Sequence, residues 1–151
     1  MGEVSAVPTS GSPQVGSPTL LIGSCEAFSG KSALALGLAR LLLQRGVAVR
    51  FGKPLAAADG AAAGGSADDR IDDDVRFVGR SLGLPEAQLI PAVHRHSPAS
   101  SQQRLLSAEL QADGGLSTLR QTLAAAPDGL TVLEAPGSLS EGLLYGLSLV
   151  Q

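Results

Sequence analysis

The stretch that decides the fold runs from Thr19 to Leu55, TLLIGSCEAFSGKSALALGLARLLLQRGVAVRFGKPL. Thr19 to Gly23 is a short apolar run ending in glycine, the pattern of a strand buried on both faces in a parallel sheet. Gly23 to Gly30, GSCEAFSG, reads as a loop. From Lys31 to Arg45 the chain is dense in Ala and Leu, with no proline or β-branched residue, and so favours a helix. Gly46 stands where a C-terminal stop is expected. The helix is apolar around most of its circumference, which predicts a sheet on one side and further structure on another. Val47 to Phe51 reads as the second strand, ended by Pro54. Strand, loop, helix and strand form a βαβ unit with a right-handed crossover. The expected class is α/β, with a mostly parallel, doubly wound sheet.

Outward from this unit the signals thin. AAADGAAAGGSADD, residues 56–69, reads as a mobile surface loop. Asp72 to Leu82 is expected to be a helix whose acidic start suits the positive end of the helix dipole. Pro85 to Ala112 is mixed, with a helix expected over 102–111. Leu116 to Ala126 reads as a helix and Leu130 to Leu133 as a third buried strand ending at Glu134. Residues 142–151 read as the start of a further helix. Residues 1–17 are rich in Ser, Pro and Gly and lack both a basic and an apolar region. They read as a disordered leader rather than a signal peptide, with residues 18–151 as one domain.

Composition excludes several functions. At 151 residues with 44% hydrophobic and 17% charged side chains, the chain can build a core and is not wholly disordered. Aromatics are only 3% and the net charge is −3, so neither a base-stacking platform nor an electrostatic surface for nucleic acid is expected. No run approaches the ~18 apolar residues of a membrane span. The single cysteine, Cys25, excludes an internal disulfide and fits a reducing compartment, so the simplest expectation is cytoplasmic. Of eleven basic side chains only Lys31 and Lys53 are lysines, which raises the question of why lysine was kept there.

The loop supplies an answer. CEAFSGKS matches the end of the phosphate-binding pattern G-x-x-x-x-G-K-[ST], with Cys25 in place of the first glycine. Gly30 lets the backbone approach a phosphate, and successive amides at the helix start point at it. Lys31 offers a mobile charge to the outer phosphates, and the Ser32 hydroxyl can ligate Mg²⁺. The competing reading is an ordinary tight turn capped by Ser29. Lys53 follows the second strand at the sheet edge where open α/β sheets bind ligands, against the plainer reading of a solvated loop lysine. Glu134 ends the third strand at the same edge, as a metal- or water-positioning carboxylate would. Asp72, Asp73 and Asp74 offer oxygen ligands to Mg²⁺, although by residue type alone an acidic helix start explains them better. His94 and His96 lack a third ligand at metal-binding spacing and read as a solvated loop. Cys25, near a helix start, reads more readily as a small polar loop residue than as a reactive thiol.

With these residues in place, LLIGSCEAFSGKSALALGLARLLLQRGVAVRFGKPL resembles the dethiobiotin-synthetase-like P-loop ATPases. The nearest likeness is to the N-terminal ATPase-type domain of bacterial phosphotransacetylase-like proteins, with cobyrinic acid a,c-diamide synthases as more distant cousins. The likeness covers about residues 18–55, 70–82 and 130–150. It implies a P-loop NTPase-like fold, incomplete at its C-terminus, with ATP and Mg²⁺ as cofactors. By motif it implies nucleotide contacts from Glu26, Ala27, Phe28, Ser29, Gly30, Lys31 and Ser32, and catalytic roles for Lys31 and Lys53. It implies Mg²⁺ ligation by Ser32, Asp74 and Glu134, with Asp72 and Asp73 as register alternatives. Ala27 departs from the glycine usual there, and the likeness leads to the expectation of a truncated domain, since in the family further strands, and in some members acyltransferase domains, follow the part it covers.

Three functions remain open at this point. The first is an ATP- and Mg²⁺-binding module with weak or regulatory hydrolysis. The second is an ATP-dependent carboxylating or amidating ligase, and the third a non-catalytic interaction module. The expected partners are the nucleotide and either the missing C-terminal half or a second copy of the chain, with no nucleic acid and no membrane.

Overall fold

The computed structural model describes residues 17–57, 71–107 and 114–149. The expected leader, except Ser17, lies outside the described residues, as do the surface stretch beyond Ala57 and the end of the helix expected over 102–111. The chain is an α/β protein built on a four-stranded, wholly parallel sheet. In chain order its main elements are β1 (Thr19–Ile22), α1 (Lys31–Gln44), β2 (Val49–Gly52), β3 (Leu55–Ala57) and α2 (Asp73–Leu82). They continue with β4 (Leu89–Ile90), β5 (His94–His96), α3 (Pro98–Ser107), α4 (Gly114–Ala125) and β6 (Leu130–Glu134). The sheet order is β1-β6-β2-β4, and β3 and β5 form a separate parallel pair.

The βαβ unit is present, but its strands are not neighbours. β6 lies between them, pairing Ile22 with Glu134 on one side and Gly52 with Leu133 on the other. Insertion of β6 makes β1 an edge among the described strands, which corrects the expectation of burial on both faces. Leu20 and Leu21 are 37% and 49% exposed, while Ile22 is buried. The second strand starts later than expected, because the Val47 amide donates to the Leu42 carbonyl and closes the end of α1.

One face of the sheet carries the main core. Phe51, Val49, Val132 and Ile22 pack under Ala35 and Ala39 of α1 and Val75 and Val78 of α2. The two alanines are fully buried, so α1 seats closely on the strands. Its outer side is not covered as expected. Leu34 and Leu41 are exposed there.

The opposite face holds a residue that composition did not flag. Arg50, in the middle of β2, is fully buried, and its Nη1 donates to the Leu123 carbonyl near the end of α4 at 3.3 Å. A cation suits a helix C-terminus, but Nε and Nη2 find no partner, nor does the Oγ1 of Thr131, its register neighbour on β6. Burial pushes the guanidinium below its ordinary range, with Asp128 pulling the other way.

Three further expectations are corrected. Ala56 and Ala57 read as the start of a loop, and His94 and His96 as loop residues, but Leu55–Ala57 and His94–His96 pair as strands, each too short to show an alternating pattern. The helix expected over 102–111 begins earlier, at Pro98. Ser97 caps it: its hydroxyl accepts from the Ser100 amide at 3.1 Å, and the Ser97 amide donates to the Ser100 hydroxyl at 2.8 Å. This is a reciprocal capping arrangement followed by proline at the first helical position. The chain after Gly142 makes one 3-10 turn, Leu143–Tyr145, rather than an α-helix. Gly142 and Gly146 bracket it in left-handed conformations that favour glycine and end the turn at both sides. Among the described residues no helix is long and apolar enough to cross a membrane.

Two residues of β2 should respond oppositely to substitution. A Cβ at Gly52 would lie 2.5 Å from Ile90 Cβ and 2.9 Å from the Ile90 carbonyl oxygen, so Gly52→Ala is expected to cost about 1–3 kcal/mol in urea unfolding. Arg50→Met replaces a buried, incompletely paired cation with an apolar chain and should leave stability unchanged or raise it.

Candidate functional site

The polar residues singled out from the sequence gather at the carboxyl ends of β1, β2 and β6. Parallel pairing aligns those ends, and each strand is followed directly by one of the relevant segments. α1 begins after the loop that leaves β1. Its N-cap is Gly30, whose φ of 85° is left-handed. Neither Gly30 nor Ser29 supplies a capping side chain, so the first-turn amides are not capped by a side chain of the chain itself. The plainer reading of a turn capped by Ser29 is therefore not what forms. A Cβ at Gly30 would meet nothing within 4 Å, so the approach to these amides is open.

Ser32 lies in the first turn of α1, and its hydroxyl donates to Glu134 Oε1 at 2.8 Å. Glu134 is the last residue of β6 and only 5% exposed. A buried carboxylate needs such a partner, and a hydrogen bond to an ionised acceptor is stronger than a neutral one. The contact joins a helix start and a strand end that lie 102 residues apart.

Lys53 follows β2 immediately. Its Nζ lies 2.7 Å from Asp74 Oδ2 and 3.7 Å from Asp72 Oδ1. Burial works against the charge, but the bond to Asp74 and the fields of Asp72, Glu134 and Asp74 outweigh it, so the ammonium is held above its ordinary range. Lys53 is thus an ion-paired cation at the sheet edge, not a solvated loop lysine.

The aspartates divide their work. Asp72 is buried as the N-cap of α2, and its Oδ1 accepts from the Asp74 amide at 2.9 Å. Asp74 reaches out to Lys53, and Asp73 is exposed in the same turn. Among the described residues no three His, Cys, Asp or Glu side chains are placed to hold a metal ion together. The oxygen pair of Ser32 and Glu134 nevertheless suits Mg²⁺, which commonly takes one or two protein oxygens and fills its other positions with phosphate and water. Asp74 would first have to leave Lys53.

The loop residues Glu26, Ala27, Phe28 and Ser29 are all exposed, and Lys31 is half-buried. Phe28 projects fully into solvent, and its φ of 57° is the single positive value at a non-glycine among the described residues. Sequence reasoning passed over Ser24, whose hydroxyl bonds the Glu26 carbonyl at 2.7 Å and the Gly137 carbonyl at 3.4 Å. It ties this loop to the turn after β6. No motif marked it. Cys25 is an exposed free thiol. A cleft of about 350 Å³ lined by Leu89, Ile90, Pro91, Thr122, Ala125 and Pro127 shares no residue with this constellation.

No protein-family model matches the sequence, and no curated protein matches it significantly. The geometry of the sheet edge therefore carries the functional reading.

The ion pairing of Lys53 has a defined pH signature. A lysine raised above its ordinary 10.5 contributes stability that is complete below that value and lost as pH rises through the folded-state value. Lys53→Met should lower urea stability at neutral pH. The gap from wild type should narrow as pH climbs past 10.5, where deprotonation takes from the wild type what the substitution already removed.

Proposed function

We propose that the chain binds a Mg²⁺-nucleoside triphosphate, ATP by resemblance, at the carboxyl edge of its parallel sheet. The carrying observation is the 2.8 Å hydrogen bond from Ser32 to buried Glu134. It sets the hydroxyl that follows Gly30-Lys31 beside a strand-end carboxylate, the pairing that phosphate-binding loops use to hold the nucleotide's metal. The resemblance to dethiobiotin-synthetase-like P-loop ATPases supports the same assignment.

In this reading the uncapped start of α1 receives phosphate oxygens on backbone amides, favoured by the helix dipole. Gly30 admits the phosphate because it carries no side chain. Lys31 balances charge on the outer phosphates as a compact ammonium. Ser32 and Glu134 would hold Mg²⁺, and Asp74 joins them where Lys53 releases it. The metal, when bound, would neutralise charge on the bridging and terminal phosphate oxygens. Lys53 then faces the anion with Asp72, 3.7 Å from its ammonium, as its remaining aspartate partner. Weak or regulatory hydrolysis is the associated activity, with Lys31 and Lys53 as its cationic groups.

Titration of the full chain with labelled ATP tests this assignment. Binding should require Mg²⁺, and Lys31→Ala should weaken it by about tenfold or more, the scale of a lost charge-assisted contact. Ser32→Ala should weaken it mainly in the presence of Mg²⁺. Equal affinity for ATP in wild type and Lys31→Ala would overturn the assignment.

A further inference from the structure

Away from the sheet edge, four polar side chains converge on one tyrosine, and a fifth meets one of them. Tyr145, in the 3-10 turn, is only 5% exposed and packs with Leu55 of β3 and Leu147. The rings of His94 and His96 lie 5.4 and 5.8 Å from its centroid, both tilted. The two histidines alternate with Arg95 along β5, so they share one face of that strand. From α3, the Arg104 guanidinium stands 4.9 Å from the same centroid, and the Ser101 hydroxyl lies 3.1 Å from the Tyr145 hydroxyl. Glu141, in the loop before the turn, lies 3.5 Å from His96 Nε2.

This cluster reaches Lys53 through the backbone. The amides of Val93 and His94 both donate to the Pro54 carbonyl, at 2.9 and 3.3 Å. β5 then runs in register with β3, pairing His94 with Leu55 and His96 with Ala57. The segment that begins one residue after Lys53 is therefore held by the strand that carries both histidines. A two-stranded pair of three residues each has little stability of its own and depends on what its side chains pack against. Here that support is Tyr145.

We propose that His94, Arg104 and Tyr145 form an acid-sensitive joint that sets the placement of β3 and of Lys53. Among the described residues the titratable or charged groups facing His94 are Arg104 from α3, Tyr145 from the 3-10 turn and His96 on its own strand. Glu141 meets His96. Neutral His94 packs at a tilt against the ring that Arg104 also covers. Protonated His94 sets a second cation beside the guanidinium over the same ring, and among the described residues no acidic side chain pairs with it. Burial first, and Arg104 second, already push the imidazole below its ordinary 6.5. The neutral, docked form is therefore the stable one, and its stabilisation is lost as pH falls from 6.5 through that depressed value. The consequence for anion affinity, weaker binding in acid as Lys53 is released, rests on the nucleotide reading given above.

The chain has only two histidines, one tyrosine and no tryptophan, so each group reports separately. Histidine Cε1–H and backbone amide signals of the full chain would be followed by NMR from about pH 8 to about pH 5. His94→Gln and His96→Gln assign the two imidazoles. His94 should titrate below 6.5, and the Lys53 and Leu55 amides should shift with the same midpoint. Arg104→Gln should move that midpoint up towards 6.5, and His94→Gln should abolish the shift at Lys53. Tyr145 emission, followed over the same range, gives a second readout where signals broaden. Lys53 and Leu55 amides indifferent to His94 titration, or an unchanged midpoint in Arg104→Gln, would overturn the joint. Coupled amides in a chain that binds no ATP at any pH would uphold the joint and remove the nucleotide reading alone.

Discussion

Everything at the sheet edge depends on β6 entering between β1 and β2. A strand contributed from residues 130–134 supplies backbone partners to both strands of the βαβ unit, which otherwise would not meet. Parallel pairing requires all three strands to end on the same side. The loop before α1, Lys53 after β2 and Glu134 at the end of β6 must then share one edge. The Ser32–Glu134 hydrogen bond closes this arrangement and gives the buried carboxylate its partner. Without β6 the lysines and the serine would be local features of separate segments.

Lys53 is the electrostatic hinge of that edge. Its ammonium bridges the cap of α2, through Asp72, and the exposed carboxylate of Asp74, while sensing Glu134 across the sheet end. Asp72 carries two duties, accepting from the Asp74 amide and facing the lysine. Helix capping and charge pairing are thus served by one buried carboxylate, and the acidic run is a structural start of α2 as much as a source of oxygen ligands. β3 follows Lys53 at once and is held by β5. The lysine is consequently positioned from both sides, by carboxylates and by the backbone that the Tyr145 cluster supports.

The two faces of the sheet are built on different terms. The α1–α2 face carries the main apolar core, with alanines letting the helix approach the strands, and meets a buried charge at its carboxyl end in Glu134. The α4 face buries Arg50 against a helix-end carbonyl and leaves two of its nitrogens without partners. A buried, partly satisfied cation is costly, and its place beside Thr131 makes this the more polar side of the sheet. β1, the edge among the described strands, with Leu20 and Leu21 partly exposed, has the character of a pairing template.

The sequence by itself determined the elements whose signals are local. The Ala/Leu-rich helix, its glycine stop, the apolar strands at 19–22 and 130–134 and the acidic start of α2 were legible because propensity and capping act within a few residues. The candidate site was legible as well, since Gly30, Lys31 and Ser32 start the first helix, Lys53 follows the second strand and Glu134 ends the third. What only tertiary structure decided was who meets whom. That β6 would separate β1 from β2, that Asp74 would pair with Lys53, and that three-residue strands would form at 55–57 and 94–96 all depend on non-local pairing. Such pairing leaves no period in the sequence, because its energy comes from partners many residues away. The same holds for Arg50, an ordinary charged residue by composition, which the sheet buries because β2 is an interior strand.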